Sequence, residues 1–280
     1  MQSIPSFSRV YAGLLALSVL LLAGCATTVK PRTDDPWEKF NRRMYTFNDK
    51  ADKIVIRPVA VGYRKITTPS LRHAIANFFT NIRTPITIIN DLLQAEPKAA
   101  VRNTGRLAVN TTIGLIGFFD PASKMGLPQD KTDFGVTLAK WHVPDGPYLV
   151  LPLLGSTTLR DAWSWPVDIY FFDPLSWYTY THSLKYHAEY LPHTVYFISL
   201  RSDFIDAESL LHGVYDPYTF YRDAYRQRRV YLFYNGAPPA AVIEQMQGTN
   251  DIDVDKLLDE QHQYEQSQKD KKQNNGSPRN

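Results

Sequence analysis

The chain begins with an apolar run that ends at a cysteine, and this feature limits what the remaining residues can form. Residues 10–22 are predominantly apolar, and Leu22-Ala23-Gly24-Cys25 places two small residues directly before the cysteine. The run is shorter than the roughly 20 residues that a spanning helix needs, as is typical of a cleaved signal peptide. The motif resembles a bacterial lipobox and predicts a signal peptide over 1–24 with lipidation of Cys25. An ordinary secretory signal with an incidental cysteine is the alternative.

The rest of the chain contains no apolar run of membrane-spanning length either. The longest candidates, Ile113–Phe119 and Tyr148–Leu154, have about seven residues each, against roughly 20 for a spanning helix. Cys25 is also the only cysteine of the chain, so no disulfide partner is available to it. We therefore expect attachment through acyl chains, with residues 25–34 forming a lipidated tether. Removal of Arg9 with the signal lowers the net charge from +3 to about +2, which does not indicate nucleic acid as a partner.

Residues 35–236 show helical rather than strand periodicity and predict a single all-α domain. Asp35-Pro36-Trp37-Glu38 has the form of a helix start, and Pro69, Pro85 and Pro97 precede or begin further predicted helices. In the first helix, apolar residues recur at spacings of three and four: Trp37, Phe40, Met44, Phe47, Ala51 and Ile54. This stripe predicts a core-facing helix, and a helix at a lipid interface is the alternative. Residues 237–280 are polar and predict a disordered tail.

An apolar segment interrupted by glycines departs from the helical pattern. Gly114 and Gly117 lie within residues 110–121, and Gly126 follows. Each glycine lowers helix stability by about 1 kcal/mol relative to alanine, so a loop or hairpin is predicted. The apolar side chains are costly to leave in water: Ile113, Leu115, Ile116, Phe118 and Phe119. The loop should therefore lie in lipid, cover a cavity or pack in the interior, and the sequence leaves these three options open.

Two patterns in the second half concern the surfaces of helices. Aromatic residues are dense between Trp163 and Tyr196, and tryptophan and tyrosine favour the headgroup level of a bilayer. Arg222, Arg226 and Arg229 lie along one side of a helix predicted over 217–234. Such a stripe predicts a solvated basic face, with phosphate or an acidic partner as the alternative.

The sequence contains no recognisable catalytic motif, and we expect no enzyme activity, no metal and no cofactor. It has neither a Gly-x-Ser-x-Gly motif nor a glycine loop with the lysine that binds phosphate. The cluster of His182, His187, His193 and Glu189 matches no zinc-binding spacing. A Ser-His-Asp set assembled from distant residues stays open at this point.

A series of ordered motifs resembles the MlaA (VacJ-type) lipoprotein family. The match begins with residues 35–48, which include Asp35-Pro36-Trp37-Glu38 and Phe47-Asn48, and continues with Arg57-Pro58-Val59-Ala60. Further matching motifs are Asn110-Thr111, Gly114, Gly117-Phe118, Asp120, Asp133-Phe134-Gly135, Gly146-Pro147-Tyr148, Leu151-Pro152, Gly155, Arg160-Asp161, Asp216-Pro217-Tyr218 and Ala224-Tyr225. The resemblance covers about residues 25–235 in order. His142 departs from it, since the family often has glycine there.

The resemblance implies a ring-like helical protein in the periplasmic leaflet of the outer membrane. It implies removal of misplaced phospholipid from the outer leaflet through an amphipathic channel, and delivery to a soluble periplasmic carrier, MlaC. Trimeric porins of the OmpC or OmpF kind are implied partners. Ala26 follows the cysteine, where an aspartate tends to retain enterobacterial lipoproteins at the inner membrane, so the outer membrane is favoured. The family's hairpin near the channel mouth corresponds to Ile113–Gly126.

Combining the residues with the resemblance gives a lipid path as the predicted site. We expect the following residues to gate or line it, the last two as neighbours on the first helix: Ile113, Gly114, Leu115, Ile116, Gly117, Phe118, Phe119, Phe47 and Asn48. A structural lipoprotein that scaffolds the envelope, or less readily a periplasmic acylhydrolase, is the alternative.

Overall fold

The computed structural model describes residues 35–181, 191–211 and 213–248, apart from the side chains of residues 180, 210 and 245–248. The predicted signal peptide at 1–24, Cys25 and the predicted tether at 25–34 lie outside these residues. His182, His187 and Glu189 also lie outside them.

The described residues are mostly helical, which confirms the predicted fold class. The α-helices are α1 (Glu38–Ala51), α2 (Arg57–Ile66), α3 (Pro69–Leu93), α4 (Pro97–Thr112), α5 (Pro121–Lys124), α6 (Phe134–Lys140), α7 (Ser164–Val167), α8 (Pro174–Thr181), α9 (Leu191–Asp203), α10 (Pro217–Phe233) and α11 (Ala240–Gly248). Asp52–Ile56 and Asp168–Phe172 are π-helical, and Asp161–Trp163 and Asp206–Leu211 are 3₁₀-helical. Strands β1 (Tyr148–Leu151) and β2 (Gly155–Thr158) form an antiparallel hairpin in which Tyr148 faces Thr158.

The start of α1 is fixed by a buried carboxylate rather than by a side-chain cap. The helix begins at Glu38, and Asp35 lies before it with no exposed surface. The carboxylate of Asp35 accepts a hydrogen bond from Asn41 at 2.9 Å and another from the Tyr218 hydroxyl. Asp35, the first residue of the predicted helix start, therefore does not cap α1. Its carboxylate instead joins the first helix to α10.

The apolar stripe that begins in α1 faces the core only in part. Met44 packs against the buried cluster around Tyr148, whereas Phe47 is 49% exposed and Ile54, in the π-helical turn that follows α1, is 74% exposed. The buried residue of α1 is Asn41, which donates to one backbone group of β1 and accepts from another, each at 2.9 Å. The predicted core-facing stripe is therefore correct only in part, because helical spacing identifies a face but not the medium that each part of the face meets.

Helix α3 continues without interruption through Pro85, where the sequence predicted the start of a separate helix. Its 25 residues begin at Pro69, and the Thr68 hydroxyl caps it by accepting from the Leu71 amide at 3.3 Å. Contacts of α3 with α4, α8 and α9 offset the cost of about 3 kcal/mol that an internal proline carries. One long helix therefore replaces two predicted ones.

Apolar side chains are distributed in an unusual way between exterior and interior. The buried apolar clusters are small, one around Val230 and Phe233 and the other around Tyr148 and Tyr218. Large apolar residues are exposed on many elements: Ile54, Val55, Ile66, Ile113, Leu115, Ile116, Phe119, Trp163, Phe171, Trp177 and Phe204. Where exposed apolar side chains are contiguous, they mark contact with lipid or protein, and the run Ile113, Leu115 and Ile116 is the densest such group along the described part of the chain.

The fold continues beyond residue 236, where the polar tail was predicted to begin. Helix α11 covers Ala240–Gly248, and its Val242 is buried against Ala139, Val230 and Phe233. None of the helices in the described part of the chain is both long and apolar enough to span a membrane.

Candidate functional site

The helices line a partly open cavity of about 1110 Å³, named here the central cavity. Its wall takes side chains from α1, α3, α4, α9 and α10, from the β-hairpin and from residues 129–133. Asn48 of α1 lies on the wall, where its side chain donates to the Leu151 carbonyl at 2.9 Å. Phe47, by contrast, points to the exterior and is half exposed.

Several charged side chains on the wall are held in pairs. Arg106 donates to the two carboxylate oxygens of Asp120 at 3.1 and 2.9 Å. Arg201 donates to both oxygens of Asp52 at 2.7 Å. Charge-assisted bonds of this kind compensate for the loss of water around each group. The cavity wall combines these ion pairs with apolar side chains such as Ile86, Leu200 and Phe220, so the wall is amphipathic.

The predicted loop lies at the edge of the central cavity, and residues 113–119 are named here the apolar loop. Its five apolar side chains are exposed by between 38% for Phe118 and 66% for Ile113. Residues 113–119 do not line the cavity themselves, but Asn110 and Asp120 at the two ends of the loop do. Packing in the interior, one of the three predicted options, is therefore wrong. Contact with lipid and cover of the cavity stay predictions.

The backbone of the apolar loop is strained. Ile116 has a φ of 59° and Gly117 a φ of 91°. A left-handed conformation costs a non-glycine residue roughly 1–2 kcal/mol, and for a β-branched side chain it is a genuine outlier. A Cβ on Gly114 would lie 2.4 Å from the Asn110 carbonyl oxygen, and a Cβ on Gly117 would lie 2.4 Å from the Cβ of Asn81. Both glycines thus allow the loop to approach α3 and α4 closely.

A series of aromatic rings connects the apolar loop to the cavity wall. Phe118 stacks on Phe78 of α3, with ring centroids 4.9 Å apart and planes 18° from parallel. Phe78 meets Phe79 edge-on at 5.4 Å, and Phe79 contacts Tyr196 of α9 at 5.2 Å. Tyr196 lines the central cavity, so a displacement of the loop would act on the wall through packed rings.

Two buried carboxyl groups change charge near neutral pH. Burial raises the pKa of Asp91 from 3.8 to about 6, although the Asn103 side chain donates to it at 2.7 Å. Burial likewise raises the pKa of Asp168 to about 6, although the Phe134 amide and the Asn90 side chain both donate to it at 3.0 Å. Asp168 lies on the cavity wall, so the charge of the wall depends on pH between about 5 and 7.

We predict that the protein loses stability as pH rises from 5 to 7.5. The folded state binds more protons than the unfolded state wherever a carboxyl pKa is raised on folding, so the free energy of unfolding falls across this window. Asp91 and Asp168 should each contribute a loss of about 1 kcal/mol. Denaturant unfolding at the two pH values measures it. Asp91→Asn should remove about half of the difference, and an unchanged slope in this variant would contradict the assignment.

The arginine stripe of α10 is buried and not solvated, so that prediction is wrong. Arg222, Arg226 and Arg229 are all less than 10% exposed. Arg229 donates to the two oxygens of Asp133 at 2.6 and 3.0 Å and lies 2.8 Å from Asp161. Both acids stand in motifs that carry the family resemblance, but the sequence does not reveal that they meet on α10.

A serine, a histidine and an aspartate meet between α8 and α9, although not in the geometry of a hydrolase. The Nε2 of His193 lies 3.1 Å from the Ser176 hydroxyl and 3.5 Å from Asp173. In a catalytic triad the serine and the acid face different ring nitrogens, whereas here one nitrogen faces both. Asp173 is also paired with Arg83 at 2.7 Å. Within the ranges that the structure covers, no three potential ligands are grouped to hold a metal ion.

Fold and site together define a class of protein: a helical body with an amphipathic cavity and many exposed apolar side chains. The chain belongs to the MlaA lipoprotein family, whose model matches residues 33–232. The family resemblance deduced from the motifs is thereby confirmed.

Relatives with curated sequences include proteins of several bacteria. An uncharacterized protein of Rickettsia conorii is 44% identical over 146 residues, which are 52% of this chain and 58% of the relative. The match thus spans little more than half the length of that relative. The intermembrane phospholipid transport system lipoprotein MlaA of Escherichia coli is 36% identical over 228 residues, or 79% of this chain and 88% of that protein. Its Haemophilus influenzae counterpart is 32% identical over 219 residues, covering 75% and 85%.

A solved structure described as the structural basis for maintenance of bacterial outer membrane lipid asymmetry has the same fold. Its TM-score is 0.61 and its sequence is 33% identical to this one. The similarity covers 71% of this chain and 98% of the solved chain.

Proposed function

We propose that this protein transports phospholipid between membranes and thereby maintains the lipid asymmetry of the outer membrane. The Escherichia coli and Haemophilus influenzae relatives are named as phospholipid transport lipoproteins, and the solved structure concerns lipid asymmetry. The observation that carries the proposal is the central cavity, because its wall presents both charged and apolar side chains, as a molecule with a polar headgroup and apolar tails requires.

The physical need for such a body comes from the tails of the lipid. Two acyl chains contain about thirty methylenes, and exposing them to water costs about 0.8 kcal/mol each, or roughly 24 kcal/mol in total. Spontaneous desorption is therefore slow. A transporter has to give the tails an apolar surface while the headgroup keeps polar contacts, and the protein presents both within one helical body.

The apolar loop is our candidate for the gate of the lipid path. It exposes five large apolar side chains at the edge of the central cavity, on a backbone held in a strained conformation. Strain of this kind persists where the surrounding structure enforces it, and it clusters at functional sites. In this proposal Gly114 and Gly117 seat the loop against the cavity wall, Asn48 contributes to the wall, and Phe47 meets lipid outside.

Membrane attachment is proposed to occur through acyl chains on Cys25, which hold the helical body in the periplasmic leaflet of the outer membrane. We predict that Cys25→Ser abolishes incorporation of labelled palmitate and releases the protein from the membrane fraction, because several acyl chains anchor far better than none. Cell fractionation and palmitate labelling measure this. Continued palmitate incorporation in the variant would place the lipid elsewhere.

Delivery of the lipid is proposed to involve two kinds of partner. The family resemblance implies a soluble periplasmic carrier of the MlaC kind as acceptor and a trimeric porin of the OmpC or OmpF kind as a companion in the membrane. The exposed apolar residues offer a surface to a membrane companion.

Two measurements test the proposal: whether phospholipid co-isolates with the purified protein, and whether the protein moves or hydrolyses that phospholipid. The transporter should co-isolate with intact phospholipid and should lower outer-leaflet phospholipid when restored to cells that lack it. A purely structural scaffold would co-isolate with none and leave the leaflet unchanged. Release of free fatty acid, blocked by a serine-directed inactivator, would instead indicate a hydrolase.

A further inference from the structure

Two cations on the wall of the central cavity differ from the others. The wall carries five cationic side chains: Arg83, Arg106, Lys131, Arg201 and Arg228. Three of them contact carboxylates, Arg83 at 2.7 Å, Arg106 at 2.9 Å and Arg201 at 2.7 Å. Lys131 and Arg228 contact no carboxylate among the residues that the structure describes.

The acids nearest to these two cations already have other partners. Asp133, two residues from Lys131, has both carboxylate oxygens bound by Arg229. Asp130 is paired with Arg102. Arg228 acts on Asp133 only from a distance, so the described part of the wall presents two positive charges without a direct carboxylate contact.

Lys131 and Arg228 are close enough to repel each other. Desolvation by neighbouring protein atoms lowers the pKa of the Lys131 ammonium, and the charge of Arg228 lowers it further. Both side chains keep exposed surface at the central cavity, so an anion can reach them and relieve the repulsion between them. Phosphate suits the place, because ammonium and guanidinium groups both bind it through charge-assisted hydrogen bonds.

We propose that Lys131 and Arg228 bind the phosphate group of the phospholipid inside the central cavity. This inference deepens the proposed function and rests on it. The two cations recognise the phosphodiester that all glycerophospholipids share, so the site accepts different headgroups. It also places the headgroup beside α10, while the tails extend towards apolar surface.

The test measures binding of short-chain phosphatidylglycerol, below its critical micelle concentration, to the full-length protein by calorimetry. The double variant Lys131→Gln/Arg228→Gln should bind at least about tenfold more weakly than the original protein, since each charge-assisted hydrogen bond contributes about that factor or more. The matched control is Arg43→Gln/Lys65→Gln, which removes one arginine and one lysine from exposed positions on α1 and α2. Its affinity should be unchanged, and so should that of Lys131→Arg.

Three comparisons separate the possible explanations. Short-chain diacylglycerol, which lacks phosphate, should bind equally to the original protein and to the double variant. Inorganic phosphate should compete only weakly with the phospholipid for the site. If it binds as tightly as the phospholipid does, the site is specific for free phosphate and the proposal is wrong. The melting temperature of the double variant should not fall, because a like-charge repulsion is removed. A fall would indicate a structural role and overturn the proposal.

The outcome also separates this inference from the proposed function. If the original protein binds phospholipid and the double variant binds it equally well, the phosphate site is wrong while the transport function stands. If the original protein binds no phospholipid, both are wrong.

Discussion

Replacing Arg229 with leucine should lower the free energy of unfolding by about 3–5 kcal/mol. Arg229 is buried and is the cation shared by Asp133 and Asp161. Its removal leaves Asp133 without its ion-pair partner and Asp161 with Arg160 alone, and breaking a buried ion pair from one side costs this much. Chemical denaturation of the full-length protein measures the change.

Two further variants show whether the buried charge is the cause. Arg57→Leu removes an arginine whose pair with Glu208 is exposed, and such surface pairs contribute little, so the midpoint should hardly move. Adding Asp133→Asn and Asp161→Asn to Arg229→Leu should recover part of the loss, since asparagine also caps α6 at position 133. A loss for Arg229→Leu no larger than that for Arg57→Leu would contradict the buried network.

Replacing both Ile116 and Phe118 with aspartate should leave the protein folded and reduce phospholipid transport about a hundredfold. Ile116 is 62% exposed and Phe118 is 38% exposed, so the helical body does not depend on their burial. A charge in contact with acyl chains costs about 2.5–3.5 kcal/mol, which raises the barrier to the passage of tails. The measurement is the outer-leaflet phospholipid accessible to external phospholipase in intact cells. Unchanged leaflet levels with folded protein would contradict the gate.

A single substitution separates the effect on transport from the effect on stability. Ile116→Asn should raise the melting temperature, because asparagine tolerates the left-handed backbone that strains isoleucine, and it should still impair transport. Leu153→Asn is the matched control, since Leu153 is also exposed and has a φ of 61° in the turn of the β-hairpin. It should gain stability without loss of transport.

The sequence predicted the positions of helices and of the apolar loop better than it predicted the environment that each helix face meets. The proline positions located α4 and α10, and the glycines located the apolar loop. The arginines of α10 were assigned to the wrong environment, and so was the part of the α1 stripe that is exposed. Periodicity defines a face of a helix, and deciding whether it meets water, lipid or protein needs the neighbouring elements.

The pairing of the buried charges could not be predicted from the sequence, for a related reason. Arg229 meets Asp133 and Asp161 across 96 and 68 positions, and no local pattern records which distant acid neutralises which cation. The same holds for Lys131 and Arg228. That neither contacts a carboxylate in the described part of the chain becomes evident only from the three-dimensional structure. The motifs of the family marked several of these acids as notable without giving their partners.

The passage of phospholipid along the apolar loop and through the central cavity is tested most directly by crosslinking in living cells. A photoreactive residue at Phe118 reports on the loop, one at Thr80 reports on the cavity wall, and one at exposed Lys98 serves as control. The account predicts capture of phospholipid at the first two positions and none at the third. Capture at Phe118 without any at Thr80 would show that lipid touches the loop only from outside, and it would contradict the account.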